Sequence, residues 1–199
     1  MKASKLIKYK KHGITLMRKI RKIYFLFIAL NNAIKMLGLG DRTVATPECI
    51  SEGVVSYLYG FARNINCPGD TTNLKTGQLI EVKAGSSTTQ KDLTQFSPSS
   101  TFDNLCYVKL DMVNHLVKTY LLNITMDEID KIQVNKEQTV ADQRQEGRRA
   151  RFSIEEEIIE KRNLEPDYIL NIKTLEIIGG KLWKTKNYES HHSSLELVA

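Results

Sequence analysis

Alternating side chains at residues 79–84 predict a β-strand with a charged face and an apolar face. Glu81 and Lys83 fall on the same face, because successive side chains of a strand point to opposite sides. A two-residue turn at positions 75–76 would then place Asp70 directly opposite Glu81. Facing residues on neighbouring antiparallel strands have Cβ atoms roughly 4.5–5.5 Å apart. The sequence therefore predicts a hairpin that brings two carboxylates and a lysine together.

These three side chains are suited to the hydrolysis of a phosphodiester. Mg²⁺ prefers oxygen ligands and is commonly held by one or two carboxylates together with water and phosphate oxygens. It acts as a Lewis acid and lowers the pKa of water. We expect Asp70 and Glu81 to bind Mg²⁺, and Lys83 to stabilise the phosphate or orient the water. The alternative is that these charges only mark the solvated face of a strand.

A helix is predicted before this hairpin. Thr46 suits the N-cap, and Pro47 suits the first helical position. An apolar stripe follows at helical spacing, formed by Ile50, Val54, Tyr57, Leu58 and Phe61. We expect Ser51 and Glu52 to lie on other faces of this helix.

A hydroxyl-rich segment follows the predicted strand, where a loop would meet a phosphate backbone. It occupies residues 85–90 and 96–103. Ser99 and Ser100 are its candidates for contacts with DNA. After it, the apolar run at residues 105–110 predicts another buried strand.

Six ordered motifs carry a resemblance to a known family. They are Ser51-Glu52, Gly69-Asp70, Ile80-Glu81-Val82-Lys83, Phe96-Ser97-Pro98-Ser99-Ser100, Phe102-Asp103 and the segment from Gln143 to Ile154. In this order they resemble the PD-(D/E)xK type II restriction endonucleases, most closely the family that recognises GCNGC, over residues 45–155. The resemblance implies an α/β fold, with a restriction-endonuclease-like mixed β-sheet core flanked by helices.

The resemblance also implies roles for individual residues. Asp70 and Glu81 match the metal ligands, and Lys83 matches the catalytic lysine. Glu52 resembles an additional acid directed at the site, for which Glu48 is the competitor. One departure from the motif is that a glycine precedes Asp70, with the proline one position earlier.

An arginine-rich segment is the candidate for reading DNA bases. Arginine forks onto O6 and N7 of guanine, so a GC-rich site calls for arginines. Within the proposed recognition segment, residues 138–155, the candidate DNA-binding side chains are Gln143, Arg144, Arg148, Arg149 and Arg151. The alternative is that they contact phosphates or pair with neighbouring acids, since half or more of protein–DNA hydrogen bonds go to the backbone. We expect only one or two to read bases.

The N-terminal 40 residues form a basic arm and a long predicted helix, residues 14–37. This region contains ten Lys or Arg residues and no acid, in a chain of net charge +6, which suits an approach to DNA. A basic stretch before the apolar run at 23–30 also imitates a secretory signal. That run is too short to span a bilayer, so no membrane association is expected. The helix is expected to be buried in the core or between subunits, and to end at Gly38 and Gly40.

The cysteines and histidines narrow the possible classes of protein. The three cysteines are widely spaced and odd in number, so they predict free thiols and a cytoplasmic location. The four histidines show no zinc-ligand spacing, which disfavours zinc enzymes. The length favours a single domain, residues 1–187, with a catalytic core at 45–125 and a disordered tail at 188–199.

The remaining elements are predicted from local patterns. Strands are expected at 107–112 and 116–123, joined by a turn at Asn114 and His115. Capping boxes at 125–128 and 153–156 predict helix starts, the second helix running to Arg162. The tail predicts strands at 168–172, 175–178 and 181–184, with a Gly179-Gly180 turn before the last strand.

Three classes of function are consistent with the sequence. The first is a Mg²⁺-dependent type II restriction endonuclease that acts on double-stranded DNA as a homodimer, because a palindromic site calls for two-fold symmetry. Its system would also need a DNA methyltransferase that protects the host. The second is a structure-specific nuclease for junctions or repair, and the third is a DNA-binding protein without catalytic activity.

Overall fold

A seven-stranded mixed sheet forms the centre of the protein. The computed structural model describes residues 3–38, 44–64, 69–86 and 93–184, with side chains from residue 15 onward. The sheet strands are β1 (Ala62–Arg63), β2 (Thr71–Thr72), β3 (Leu79–Ser86), β5 (Asn104–Asp111), β6 (Leu116–Leu121), β8 (Tyr168–Asn171) and β9 (Glu176–Gly179), in spatial order 1-2-3-5-6-8-9. The β3–β5 pair is parallel and the other pairs are antiparallel. The predicted α/β class with a mixed sheet is confirmed.

A second, two-stranded sheet is formed by β4 (Leu93–Phe96) and β7 (Ala150–Ser153), which pair antiparallel. Its inner face is apolar, because Phe96, Ala150 and Phe152 are buried. Phe96 stacks on Phe152, with ring centroids 5.2 Å apart. We refer to this pair of strands as the β4–β7 ribbon.

Two helices cover one face of the main sheet. Helix α1 (Ala3–Met36) begins before the predicted residue 14, and the turn that follows it contains Gly38, whose φ of 62° is left-handed. Helix α2 spans Glu48–Tyr59. Together they bury one core cluster against the sheet; its side chains from α1 are Met17, Ile20, Tyr24 and Phe27. The outer face of α1 keeps apolar residues such as Leu26 and Leu30 exposed.

Short elements cover the opposite face of the sheet. They are α3 (Met126–Ile129), α4 (Val140–Gln145) and a π-helix (Glu155–Glu160). The second core cluster joins them to the β4–β7 ribbon and to β5 and β6, through residues such as Leu105, Tyr107 and Ile154. The predicted capping box at Thr125 and Glu128 is present. Ser153 accepts from the backbone N–H of Glu156 at 3.2 Å, but the N-cap of the π-helix is Ile154 and the helix ends at Glu160, so the second predicted helix start and its end at Arg162 are wrong.

Some sequence-based boundaries are wrong. Pro47 is the N-cap of α2 rather than its first helical residue, and no side chain caps this helix. Residues 181–184 form a helical turn, not a strand, because Lys184 N–H bonds back to the carbonyl of Gly180. The tail hairpin is instead β8–β9, which closes before Gly180. Gly40 and the predicted disordered tail, 188–199, lie outside the described residues.

None of the described helices combines the length and the apolarity that a membrane span requires.

Candidate active site and DNA-facing surface

The pairing of β2 with β3 brings the predicted acids together. We call Asp70, which immediately precedes β2, together with Glu81 and Lys83 of β3, the acidic edge. Thr71 faces Ile80, a register that continues to Asp70 opposite Glu81, as the sequence predicted. Asp70 donates its backbone N–H to the carbonyl of Ile80 at 3.0 Å. Its carboxylate oxygen Oδ2 accepts from the backbone N–H of Val82 at 2.7 Å. The Asp70 carboxylate is therefore fixed beside Glu81.

The connection that sets this register is longer than predicted. The carbonyl of Asn73 accepts from the backbone N–H groups of Thr76 (3.2 Å) and Gly77 (2.8 Å), and Asn73 N–H donates to Gln78. Gly77 takes a positive φ of 77°, which glycine adopts without steric cost. The expected two-residue turn at 75–76 is thus wrong. The actual loop has one more residue on each side than the predicted turn, so Asp70 and Glu81 remain opposite each other.

Lys83 lies beside Glu81 on the same strand. Its Nζ is 2.6 Å from Glu81 Oε1, and both side chains are mostly buried. The same nitrogen lies 5.4 Å from the centroid of the Phe96 ring, a separation at which a cation is attracted to the ring face. The lysine is held between an acid of β3 and an aromatic ring of the β4–β7 ribbon.

Glu52 is buried near the acidic edge and paired with an arginine. Arg63 of β1 donates from Nε to Glu52 Oε2 at 2.8 Å and also from Nη2 to the same oxygen. Burial raises the pKa of Glu52, the Arg63 hydrogen bond and charge lower it, and the negative charges of Asp70 and Glu48 raise it. Glu52 therefore lies within electrostatic reach of Asp70. The sequence did not indicate Arg63 as its partner.

Asn64 is a second residue near Asp70 that no sequence motif indicates. Its backbone N–H donates to the carbonyl of Asp70 at 2.9 Å, and its side-chain Nδ2 donates to the carbonyl of Gly69 at 3.2 Å. Thr72 Oγ1 in turn donates to Asn64 Oδ1 at 2.8 Å. Asn64 therefore holds the main chain that carries Asp70. Its only sequence signal is the affinity of asparagine for irregular backbone.

The donor set of the acidic edge fits a hard divalent cation. Asp70 and Glu81 offer two carboxylates, the number by which Mg²⁺ is commonly held. Among the described residues, no group of three or more His, Cys, Asp or Glu side chains is arranged to hold a metal. Asp70 and Glu81, with Glu52 nearby, are the side chains that would hold the ion.

The guanidinium of Arg144 makes its hydrogen bonds to other residues of the protein. It makes five hydrogen bonds: two from Nη1 to the Asp130 carboxylate, both at 2.7 Å, one from Nε and one from Nη2 to the carbonyl of Pro98, and one from Nη2 to that of Ser100. All three guanidinium nitrogens of Arg144 therefore donate to groups of the protein. Arg144 thus fastens the serine loop, residues 97–100, to the segment between α3 and α4.

The serine loop borders an open groove of about 890 Å³. Ser100, Thr76, Gln78, Thr125, Asp127 and Asp130 contribute polar groups to its lining. Ser97 and Ser99 hydroxyls lie 3.2 Å apart at the exposed end of the loop. The structure therefore presents Ser99 and Ser100 at the surface beside the start of β3.

The remaining candidates of the arginine segment (residues 142–151) differ in their partners. Arg148 pairs with Glu146 and donates to Gln138 at 2.8 Å. Gln143 donates to the same Gln138 oxygen at 3.4 Å. Arg149 and Arg151 are exposed. The candidate DNA-binding side chains, which the sequence treats alike, therefore differ in their partners and in their exposure.

Comparison with known proteins decides the family. The family model described as Bsp6I restriction endonuclease matches residues 15–161. The protein named "Type II restriction enzyme Bsp6I", from Bacillus sp. (strain RFL6), is 40% identical over 157 residues, which cover 79% of this chain and 88% of that protein. This chain belongs to the Bsp6I restriction endonuclease family.

The Bsp6I family match includes both regions singled out by the sequence. Residues 15–161 contain the acidic edge and the arginine segment, as well as most of α1. Strands β8 and β9 follow the matched range. The prediction of a type II restriction enzyme is therefore confirmed at the level of the family.

Proposed function

We propose that this Bsp6I-family enzyme cuts both strands of DNA at a short GC-rich palindrome in a Mg²⁺-dependent reaction. The resemblance of its motifs to PD-(D/E)xK enzymes supports GCNGC as that site. Membership of a restriction endonuclease family supports double-stranded DNA as the substrate. A protecting DNA methyltransferase in the same cytoplasm completes the proposed system.

The observation that carries the proposal is the geometry of the acidic edge. Asp70 is anchored by the amide of Val82, Glu81 lies opposite it in the strand register, and Lys83 Nζ is 2.6 Å from Glu81. Glu81 and Lys83 are thus fixed by strand β3, and Asp70 is fixed by its hydrogen bonds to that strand. Such preorganisation is what the stabilisation of a charged transition state requires.

Each side chain has a proposed part in the mechanism. Asp70 and Glu81 bind Mg²⁺, and Glu52 adds negative charge beside them. When bound, Mg²⁺ would neutralise charge on the phosphoryl group and lower the pKa of water. Lys83, held between Glu81 and Phe96, orients the attacking water or stabilises the phosphate with its ammonium group.

The DNA surface is proposed to surround this edge. Ser99 and Ser100 hydroxyls contact the phosphate backbone, and the exposed residues Arg148, Arg149 and Arg151 contact phosphates or bases. Gln143 is proposed to contact DNA from the end of α4. The contacts of Arg144 support a different role, which is to hold the serine loop in place.

A homodimer is proposed because two active sites related by two-fold symmetry match a palindrome. Leu26 and Leu30 on the outer face of α1 are exposed apolar side chains, 70% and 50% accessible, which supports this face as part of the dimer interface. Light scattering of the purified protein measures the mass. Twice the mass of one chain is the expected result, and a monomer at working concentration in the presence of DNA would contradict it.

The central experiment is digestion of an unmethylated plasmid by the purified protein, with Mg²⁺ or with a chelator. The Glu81→Ala variant removes one proposed metal ligand. Glu176→Ala is the matched control, because Glu176 is an exposed residue of β9 outside the matched family range. Sequencing the fragment ends reveals the site and the cut position.

We expect discrete fragments with wild type and with Glu176→Ala in Mg²⁺, and none with Glu81→Ala or chelator. The fragment ends should share one short GC-rich palindrome. Cutting that persists in Glu81→Ala would contradict the proposed metal site. Cutting of branched DNA alone would favour a structure-specific nuclease, and duplex binding without any cutting would favour a non-catalytic protein.

A further inference from the structure

The four arginines of the arginine segment have different surroundings in the structure. Arg144 donates from all three of its guanidinium nitrogens to Asp130, Pro98 and Ser100. Arg148 is paired with the carboxylate of Glu146, which must be displaced before the guanidinium can face a base. Arg149 precedes β7 and is exposed, outside any strand pair. Only Arg151 lies on a strand with a neutral side chain directly opposite.

That neutral partner is Gln95. Gln95 of β4 and Arg151 of β7 are register partners, and both are exposed while their neighbours Thr94, Phe96 and Phe152 are buried. In the amide orientation that satisfies both groups, Gln95 oxygen accepts from Arg151 Nη2 at 3.1 Å and from Nε at 3.2 Å. The pair therefore lies on the outer face of the β4–β7 ribbon.

This hydrogen-bond pattern leaves one particular edge of the guanidinium available for a ligand. A guanidinium is planar and carries five N–H donors in a fixed fork. Gln95 accepts from the edge formed by Nε and Nη2. The other edge, formed by Nη1 and the second N–H of Nη2, is the one that can donate in parallel to two acceptors. Guanine O6 and N7 are such a pair of acceptors in the major groove.

The β4–β7 ribbon has a shape that fits the major groove, and it lies next to the acidic edge. The major groove admits a two-stranded β-ribbon. The ribbon also contacts the acidic edge, because the ring of Phe96, the residue after Gln95, lies 5.4 Å from Lys83 Nζ. A base contact at Gln95 and Arg151 would thus be one residue away from a side chain that touches the proposed catalytic lysine.

We propose that Arg151 reads a guanine of the recognition site through the major groove, and that Gln95 is a positioning residue which holds Arg151 in the orientation for that contact. This inference rests on the proposed function in taking duplex DNA as the ligand. It selects one base reader among the four arginines and adds a residue of β4 that belongs to no motif. The ribbon then links base recognition to Lys83.

The first test is selection of bound duplexes from a random-sequence pool, with Ca²⁺ in place of Mg²⁺ so that binding is measured without reliance on cleavage. Wild type, Arg151→Ala and Arg149→Ala are compared. We expect Arg151→Ala to lose the preference for one guanine in each half-site, by roughly tenfold to a hundredfold, and to keep the rest of the motif. Arg149→Ala should weaken binding of all sequences alike.

The second test uses 7-deazaguanine, which replaces the N7 acceptor by C–H and keeps O6 and Watson–Crick pairing. Placed at the guanine that the selection assigns to Arg151, it should weaken wild-type binding severalfold and leave Arg151→Ala binding unchanged. Gln95→Met keeps the size of the side chain and removes the acceptor, so its sensitivity to 7-deazaguanine should be intermediate. A merely structural Gln95 would lower thermal stability without changing that sensitivity.

Three results would overturn the inference. An Arg151→Ala motif identical to the wild-type motif would show that Arg151 reads no base. A uniform loss of affinity, with full sensitivity to 7-deazaguanine, would make Arg151 a phosphate contact. Selection of no motif by wild type would exclude base reading altogether. Failure of wild type to cut DNA in Mg²⁺ contradicts the proposed function and leaves these binding outcomes to be decided separately.

Discussion

The acidic edge and the arginine segment both contain charged residues recognised in the sequence, but they are built in different ways. At the acidic edge, the strand register and backbone amides fix the acids, and Lys83 is paired with a neighbour two residues away. In the arginine segment, Arg144 and Arg151 depend on partners far away in the chain, such as Pro98 and Gln95. Local geometry therefore determines the first region and tertiary contacts determine the second.

This difference predicts that substitutions in the two regions affect different quantities. Changes at the acidic edge should reduce catalysis and leave folding intact, because its chemistry is added to a sheet that is already paired. In the arginine segment, some substitutions should lower the free energy of unfolding and others should change DNA recognition. Which of the two changes depends on the partner of each arginine.

The largest effect is expected for Lys83→Ala. Loss of a positioned cation or proton-transfer group at the reacting phosphate should lower the cleavage rate by about 10²–10⁴-fold. The rate is measured on a cognate duplex in single-turnover conditions, and duplex binding in Ca²⁺ should remain within a few-fold of wild type. The control is Lys161→Ala, since Lys161 also pairs with a glutamate but is exposed at the C-cap of the π-helix. Equal rates for the two variants would contradict the role of Lys83.

The acidic edge could be predicted from the sequence because its geometry depends on a period of two. Counting residues from a turn gave the Asp70–Glu81 register, even though the actual turn is longer. An error of one residue on one strand only would have moved an acid to the other face. Arg63 and Asn64 could not be predicted, because the segment between α2 and β2 has no periodic pattern.

The next effect in size is expected for Arg144→Ala, and it should appear in stability. The substitution leaves Asp130 and the carbonyls of Pro98 and Ser100 without their donors. Breaking a fully buried pair costs about 3–5 kcal/mol, and partial exposure of both side chains reduces the expected loss to about 2 kcal/mol. Urea unfolding measures it. Arg148→Ala, whose ion pair is half exposed, should change stability by about 0.5 kcal/mol or less.

The sequence alone does not show which arginine of the arginine segment supports the fold and which contacts DNA. The four arginines lie within eight residues, and the sequence treats them alike. The protein directs Arg144 inward, to a loop 44–46 residues away in the chain. Such long-range partners leave no signal near the arginine itself. A stability loss in Arg148→Ala that matched Arg144→Ala would remove this distinction.

A smaller effect is expected for Asn64→Ala, which disturbs the support of Asp70 rather than the carboxylate. Replacing a residue that orients a metal ligand typically lowers metal affinity or activity by about 10–100-fold. We expect a loss of about tenfold for Asn64→Ala, because Asn64 acts on Asp70 through the main chain. The Mg²⁺ concentration for half-maximal cleavage should rise, with little change in the rate at saturating Mg²⁺. Asn64→Asp keeps the acceptor for Thr72 and should fall between Asn64→Ala and wild type.

The smallest effect concerns the pH dependence of Arg63→Gln. The Arg63 hydrogen bond and charge lower the pKa of Glu52, so their loss should raise that pKa further, with burial and the charges of Asp70 and Glu48 still raising it. An acid whose pKa is higher in the folded state holds its proton longer there than in the unfolded chain. Stability from this source is therefore present at acidic pH and is lost as pH rises through the folded pKa.

It follows that Arg63→Gln should be nearly as stable as wild type at acidic pH and less stable toward neutral pH. Urea unfolding at several pH values above the usual carboxyl pKa of about 4.3 measures the difference. Arg21→Gln is the matched control, because Arg21 donates to a backbone carbonyl, which has no charge to titrate. A destabilisation of Arg63→Gln that stayed constant with pH would mean that Glu52 keeps its charge without Arg63. Arg63 would then contribute packing alone to its pair with Glu52.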